Sequence, residues 1–240
     1  MKLDILAIGA HPDDVELGCG ATLAKEISKG KKVGILDLTR GELGTRGTAE
    51  TRDQEAEDAS NALGALVRTN MEFSDGFIIN DKWHQIEIIK MIRLYRPEIV
   101  ICNAIDDRHI DHAKASKLVS EACFLSGLIK IDTKHEDVDD WQEPWRPKAV
   151  YHYIQWKDLQ PDVVVDVTGF MDAKMKAVLC YKTQFFDPKS EEPETPISSK
   201  NFTESITYRA RNLGRLIGTD HAEGFNTERY PAVDSLFDII

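Results

Sequence analysis

Leu3-Asp4-Ile5-Leu6-Ala7-Ile8-Gly9, running into Ala10-His11-Pro12-Asp13-Asp14-Val15-Glu16, decides the fold of this chain. The first seven residues are an apolar run of buried-strand length. Leu17 to Lys29 then carries Leu17, Ala21, Leu23, Ala24 and Ile27 at helical spacing and is closed by Gly30. His11, Asp13 and Asp14 therefore stand on the turn that leaves the C-terminal end of a first strand, where open α/β sheets bind their ligands. A buried strand does not end in three ionisable side chains unless a cation or a reaction occupies them. The turn is expected to bind a metal and to carry a catalytic base.

Working outward, strands and helices alternate. Lys32 to Thr39 (KVGILDLT) reads as a second buried strand, and Arg40 to Thr51 as a Gly- and Thr-rich loop able to cover a site. An acidic helical segment from about Thr51 to Leu63 follows, then a weaker strand at Val67 to Phe73, a helix over Asp81 to Tyr95, and the apolar strand Glu98 to Asn103. Ala113 to Ser126 is helical, and Lys130 to Pro147 reads as a charged surface excursion. Ala149 to Trp156 and Asp162 to Val167 are two more strands, and Phe170 to Tyr181 is a helix. Phe186 to Pro196 is a Pro/Glu loop, Ser199 to Ile217 an amphipathic helix, and Thr219 to Ile240 a tail with little periodicity. This alternation predicts an α/β fold: a Rossmann-like, mostly parallel sheet with helices on both faces and a C-terminal helical extension. One domain is expected over residues 1–240, with its α/β core in 1–182 and the loop, helix and tail in 183–240.

Composition narrows the function classes. Of 240 residues, 42% are hydrophobic and 30% charged, as in soluble globular proteins. Thirty Lys and Arg against 41 Asp and Glu give a formal charge of −11, which argues against a nucleic-acid binder but leaves room for a small anion held by local arginines. Cys19, Cys102, Cys123 and Cys180 are widely spaced, with no C-x-x-C pair, which disfavours a disulfide scaffold or a zinc knuckle. No stretch approaches the ~20 apolar residues of a membrane span, and no signal peptide opens the chain. A cytoplasmic location is expected.

A second polar turn, Asp106-Asp107-Arg108-His109-Ile110-Asp111-His112, leaves the Glu98–Asn103 strand. In a parallel sheet the C-terminal ends of neighbouring strands share one edge, so the two turns can meet. They offer His11, Asp13, Asp14, His109, Asp111 and His112. Three such nitrogen or oxygen ligands plus water make an open catalytic zinc site. A donor set without thiolate also admits Fe(II), Mn or Co.

The A-H-P-D-D-x-E string at Ala10–Glu16 and the H-x-D-H string at His109–His112 resemble the zinc-dependent de-N-acetylases that act on N-acetylglucosamine conjugates. The likeness extends through R-G-E-x-G-T-R-G-T at Arg40–Thr48, the helix with Arg52 and Glu55, and V-Y-H-Y-I-Q at Val150–Gln155. These features and the length bring it nearest to the bacillithiol-biosynthesis branch. The resemblance implies one Zn2+ per chain held by His11, Asp14 and His112, with Asp13 free beside it as general base and proton donor to the leaving amine. It further implies that His109 donates to the oxyanion or orients a neighbour, and that Asp111 orients a histidine or caps its helix. An arginine at Arg52 lies near substrate in relatives, and Arg108 could grip a carboxylate, its plainer role being an ion pair with Asp106 or Asp107. The implied substrate is an N-acetylglucosaminyl conjugate, foremost the malate conjugate; the implied assembly is a homo-oligomer, a hexamer or trimer.

Other readings are weaker. The same chemistry could serve a chitooligosaccharide or a mycothiol-type inositol conjugate. A metal-dependent binding module would have no use for an unligated Asp13. Gly18-Cys19-Gly20 lacks the third glycine of a dinucleotide fingerprint. Glu16 reads as helix-dipole chemistry. His152, on an apolar strand, reads as a hydrogen-bonded core histidine, and Trp141 and Trp145 as interface or loop anchors.

Overall fold

The computed structural model describes residues 1–137 and 140–239. Its centre is β1 (Ile5–Gly9), every residue of which is buried. It pairs in parallel with β2 (Val33–Thr39) on one side and β4 (Ile99–Cys102) on the other. Outside these lie β3 (Val67–Phe73) and β5 (Ala149–Tyr153), also parallel. β7 (Ala222–Thr227) is antiparallel to both β5 and β6 (Val163–Asp166), completing the order β3-β2-β1-β4-β5-β7-β6. The expected mostly parallel α/β sheet is present.

The period-two geometry of β1 divides its side chains between two cores. Leu6 and Ile8 pack with α3 (Lys82–Tyr95) and α4 (Ile110–Leu125). Ile5 and Ala7 pack with α1 (Asp14–Ser28), α2 (Ala49–Leu63) and α5 (Met171–Val178). Helix α6 (Lys200–Ile217) is less embedded, with only Ala210 and Gly214 buried. No described helix is long and apolar enough to cross a membrane.

The expected tail is corrected in one respect: it contains β7, which enters the sheet between β5 and β6, so residue 183 does not begin an appendage. The segment AEGFNT has neither alternation nor an apolar run, because its buried Glu223 is held by contacts remote in sequence. Helix α1 breaks its regular geometry at Cys19. Glu223 accepts the freed amides of Ala21 and Thr22 at 3.2 and 2.7 Å, and Lys174 Nζ donates to the Leu17 carbonyl at 2.7 Å and pairs with Glu223 at 2.6 Å. Within the expected excursion Lys130–Pro147, Val138 and Asp139 lie outside the described residues, as does Ile240 of the tail.

Candidate metal centre and active site

Strand order reverses between β1 and β4, which opens a crevice at their C-terminal ends. The two polar turns flank it. Asn103, one residue past β4 and fully buried, ties them: its Oδ1 accepts the Ala10 amide at 2.8 Å, and its Nδ2 donates to Asp14 Oδ2 at 3.0 Å.

Asp14 is the hub. Its Oδ2 lies 3.3 Å from His11 Nδ1 and its Oδ1 3.2 Å from His112 Nε2, so the three residues singled out as a metal set do converge. Gln155 Nε2 donates to Asp14 Oδ1 at 2.5 Å. Behind the two imidazoles stand carboxylates that face their other nitrogens. Asp107 Oδ2 is 2.6 Å from His112 Nδ1, and Asp75 Oδ1 is 3.0 Å from His11 Nε2, with Asp111 Oδ2 at 3.6 Å. At His112 this contact fixes the tautomer and leaves Nε2 to ligate; His11 Nε2 faces its two carboxylates without a formed hydrogen bond.

The donors fit a divalent cation. They are imidazole and carboxylate without thiolate, and His11 Nε2 and Asp111 Oδ1 are buried without a hydrogen-bond partner, as in a site whose full charge balance includes a cation. Among the described residues, the sets of three whose ligand atoms all lie within 4.8 Å of one another are His11, His109 and His112, and His11, Asp75 and Asp111, neither of which includes Asp14. His109 fits ligation less well. Its Nδ1 accepts the Asp111 amide at 3.3 Å as it caps α4, so in the neutral ring the proton sits on Nε2, which then donates rather than ligates.

Asp13 stands apart from this set and lines the cavity. It caps α1 at φ 111°, a backbone conformation costly for a residue with a Cβ. Arg52 holds it there, donating from Nη2 to Asp13 Oδ2 at 2.9 Å and to the Pro12 carbonyl. The Arg40–Thr51 loop covers Arg52, passing it at Gly41, where a Cβ would lie 2.6 Å from the guanidinium. Burial pushes the Asp13 carboxyl up to about 7 against the opposing pull of Arg52.

Protonation elsewhere follows the same contest. Burial raises Asp14, but His112 and His11 outweigh it and hold the carboxyl well below its usual range. Burial opposes the charged form of His112, yet Asp14 and Asp107 raise it to about 9. His11 is likewise raised by Asp111, Asp14 and Asp75 against burial. His109 is lowered by burial and by the two neighbouring histidines.

The remaining expectations fall out as follows. Arg52 lines the cavity; its Nη2 is taken by Asp13 and the Pro12 carbonyl, while Nε has no partner and Nη1 reaches Gln184 at 3.5 Å. Arg108 has no ion pair among the described residues: Asp106 pairs with Lys157 at 2.8 Å and Asp107 faces His112. The Arg108 guanidinium instead lies 4.5 Å over the Trp156 ring at the cavity wall. Asp111 accepts the Gly76 amide at 2.6 Å and faces His11. Glu16 stands in the first turn of α1, as the helix-dipole reading has it, and is also fully buried, 2.5 Å from Arg68. His152 is buried, 2.8 Å from Ser116 Oγ and 3.1 Å from both Glu228 and the Asn103 carbonyl. Sequence reasoning missed Asp75, Asn103 and Gln155, and saw Asp107 only as an arginine partner. All four follow the C-terminal end of a parallel strand, and that position was the available signal.

The GlcNAc-PI de-N-acetylase family pattern (PIG-L) matches residues 6–123. Diacetylchitobiose deacetylase of Thermococcus kodakarensis is 30% identical over 191 residues, 75% of this chain and 70% of its own. Among solved structures, the conserved protein TT1542 of Thermus thermophilus superposes with TM-score 0.86 at 34% identity, covering 98% of both chains. N,N'-diacetylchitobiose deacetylase of Pyrococcus horikoshii shares the fold, with TM-score 0.77 at 23% identity over 98% of this chain and 88% of its own. Two motif turns meeting at the β1/β4 crevice and relatedness along most of the chain lead to one assignment: this chain belongs to the GlcNAc-PI de-N-acetylase (PIG-L) family of amidohydrolases.

Proposed function

We propose that this protein is a zinc-dependent de-N-acetylase that releases acetate from an N-acetylglucosaminyl conjugate, and that the conjugate is N-acetylglucosaminyl-malate of the bacillithiol route. One observation carries the catalytic part: a buried carboxylate, Asp13, held by Arg52 beside His11, Asp14 and His112 but bonded to none of them. His11, Asp14 and His112 would hold the zinc, which when bound supplies Lewis acidity and an acidified water. Asp13, held by Arg52 and free of the ligand set, takes the proton of the attacking water and returns it to the leaving amine. His109 presents Nε2–H to the developing oxyanion. Asn103 and Gln155 orient the Asp14 carboxylate, while Asp75 and Asp107 orient the two imidazoles.

Arg108 supports the malate reading. It lies at the cavity wall next to His109, rests on Trp156, and keeps its guanidinium donors for a substrate carboxylate. A chitooligosaccharide is the second reading, favoured by the identity to a diacetylchitobiose deacetylase. Acetate release measured on the malate conjugate, diacetylchitobiose and an inositol conjugate separates them. Arg108→Ala should raise KM for the malate conjugate alone; turnover of diacetylchitobiose without turnover of the malate conjugate overturns the finer assignment. The same reading takes the chain as a single domain working in the cytoplasm as a homo-oligomer, which light scattering tests.

A further inference from the structure

The cavity, about 660 Å3, does not end at the ionisable cluster. It continues beneath α6 along α1 to Lys174 and Glu223. From Asp14 to Ala21 the helix rises about 10 Å. The apolar walls of this stretch are Leu17, Ile154, Ile197, Phe202, Ile206 and Leu213; of the polar side chains between them, Ser205 donates to the Phe202 carbonyl and Arg209 to the Trp156 carbonyl. All the apolar ones but Ile154 are only partly buried, so apolar surface is left uncovered inside the molecule. The channel is shaped rather than loose. Phe202 stacks on Trp156 at 5.4 Å, and Ile154 and Leu213 converge over Gly224, where a Cβ would come within 3.3 Å of both. At the far end the polar atoms of Lys174 and Glu223 are taken up by each other, the Leu17 carbonyl and the Ala21 and Thr22 amides.

We propose that this channel takes the acyl chain of the scissile amide, so that the enzyme hydrolyses N-acyl amino sugars carrying medium-length chains as well as N-acetyl ones. The inference rests on the amide-hydrolysing reading above. At the carbonyl carbon the acyl and amine substituents diverge. Along walls that are mostly apolar a sugar would exchange its hydrogen bonds to water for few partners, whereas a methylene chain gains from leaving water. The sugar therefore stays on the polar side, with Arg108 and Gln155, and the chain runs inward. The reaction needs no further reactant: water adds its oxygen to the carbonyl carbon, the C–N bond breaks, and the products are a fatty carboxylate and the protonated amine. Each buried methylene is worth about fourfold in binding.

The test uses the full-length, metal-loaded protein and amine release from N-acetyl-, N-butanoyl-, N-hexanoyl- and N-octanoyl-glucosamine. We expect kcat/KM to rise at least tenfold from acetyl to hexanoyl, and Ile206→Trp to reverse the hexanoyl-to-acetyl ratio; Leu213→Phe serves if the first variant does not fold. Methyl NMR of the metal-free protein should show octanoate, but not acetate, shifting Leu17, Ile206 and Leu213. Acetyl turnover that falls steadily with chain length overturns the channel and leaves the deacetylase reading standing. A gain from an octyl group at the anomeric position, with none from N-octanoyl, also overturns it by assigning the channel to the aglycone. No turnover of any amide, acetyl included, sinks the function itself and the channel with it.

Discussion

Two buried arginines grip carboxylates of the same turn, three residues apart, with opposite consequences. Arg68, from β3, donates to both oxygens of Asp37 at 2.6 and 2.8 Å and to Glu16 at 2.5 Å, in a network that does not line the cavity. Arg52, from α2, holds Asp13 by one hydrogen bond at 2.9 Å in a strained backbone at the cavity wall. The chemistry is the same in both. What differs is access and the number of bonds that fix the acid, so one pair secures the fold and the other keeps a base ready.

The largest expected effect tests the Asp13 side. Asp13→Asn should lower kcat by roughly 10²–10⁴ while the protein still folds and binds the metal. Loss of metal in that variant would erase the distinction between Asp13 and its neighbour Asp14. Arg68→Met should do the reverse, costing about 3–5 kcal/mol of stability because Asp37 and Glu16 stay buried without their partner. Denaturant unfolding measures it, and a mild effect there would dissolve the contrast. Asn103→Leu should weaken metal binding about 10–100-fold without unfolding, read as the dissociation constant for cobalt(II).

The smallest expected effect is one of pH. His112 in the metal-free protein is raised to about 9 and His11 is raised as well, so in acid a cation must displace protons from both rings, and metal affinity should fall at least tenfold for each unit of acidification. Stability of the metal-free protein runs the other way. The native ring binds a proton that the unfolded ring, with its ordinary pKa near 6.5, has lost, so the contribution is complete below about pH 6.5 and disappears as pH rises through about 9. Cobalt titrations and thermal melts across this window should show slopes of opposite sign.

Much of the fold could be read from the chain because local patterns carried it. Val67–Phe73 is a strand at the expected bounds, and Asp81 caps the helix expected over Asp81 to Tyr95. The failure was β7, whose residues carry no pattern because Glu223 is buried by Lys174 and by the broken α1. The candidate site was legible to the same depth. The pool of donors His11, Asp13, Asp14, His109, Asp111 and His112 could be gathered from residue type and strand-end position, but the choice of His11, Asp14 and His112 among them came from the family resemblance. Asp75 and Asn103, single polar residues after ordinary strands, could not, since their partners lie 64 and 89 residues away.

By itself the sequence determined the alternation of strand and helix, and with it the sheet edge to which the imidazoles and carboxylates must go. It also determined that their donor chemistry suits a divalent cation. Only the tertiary structure decided which carboxylate stays free: Asp13 and Asp14 are adjacent and identical in kind until Arg52 takes one and His11, His112, Asn103 and Gln155 surround the other. The reason is that protonation and ligation are set by burial and by charges a few ångströms away, and those neighbours are gathered from α2, β4, β5 and α4 by folding alone.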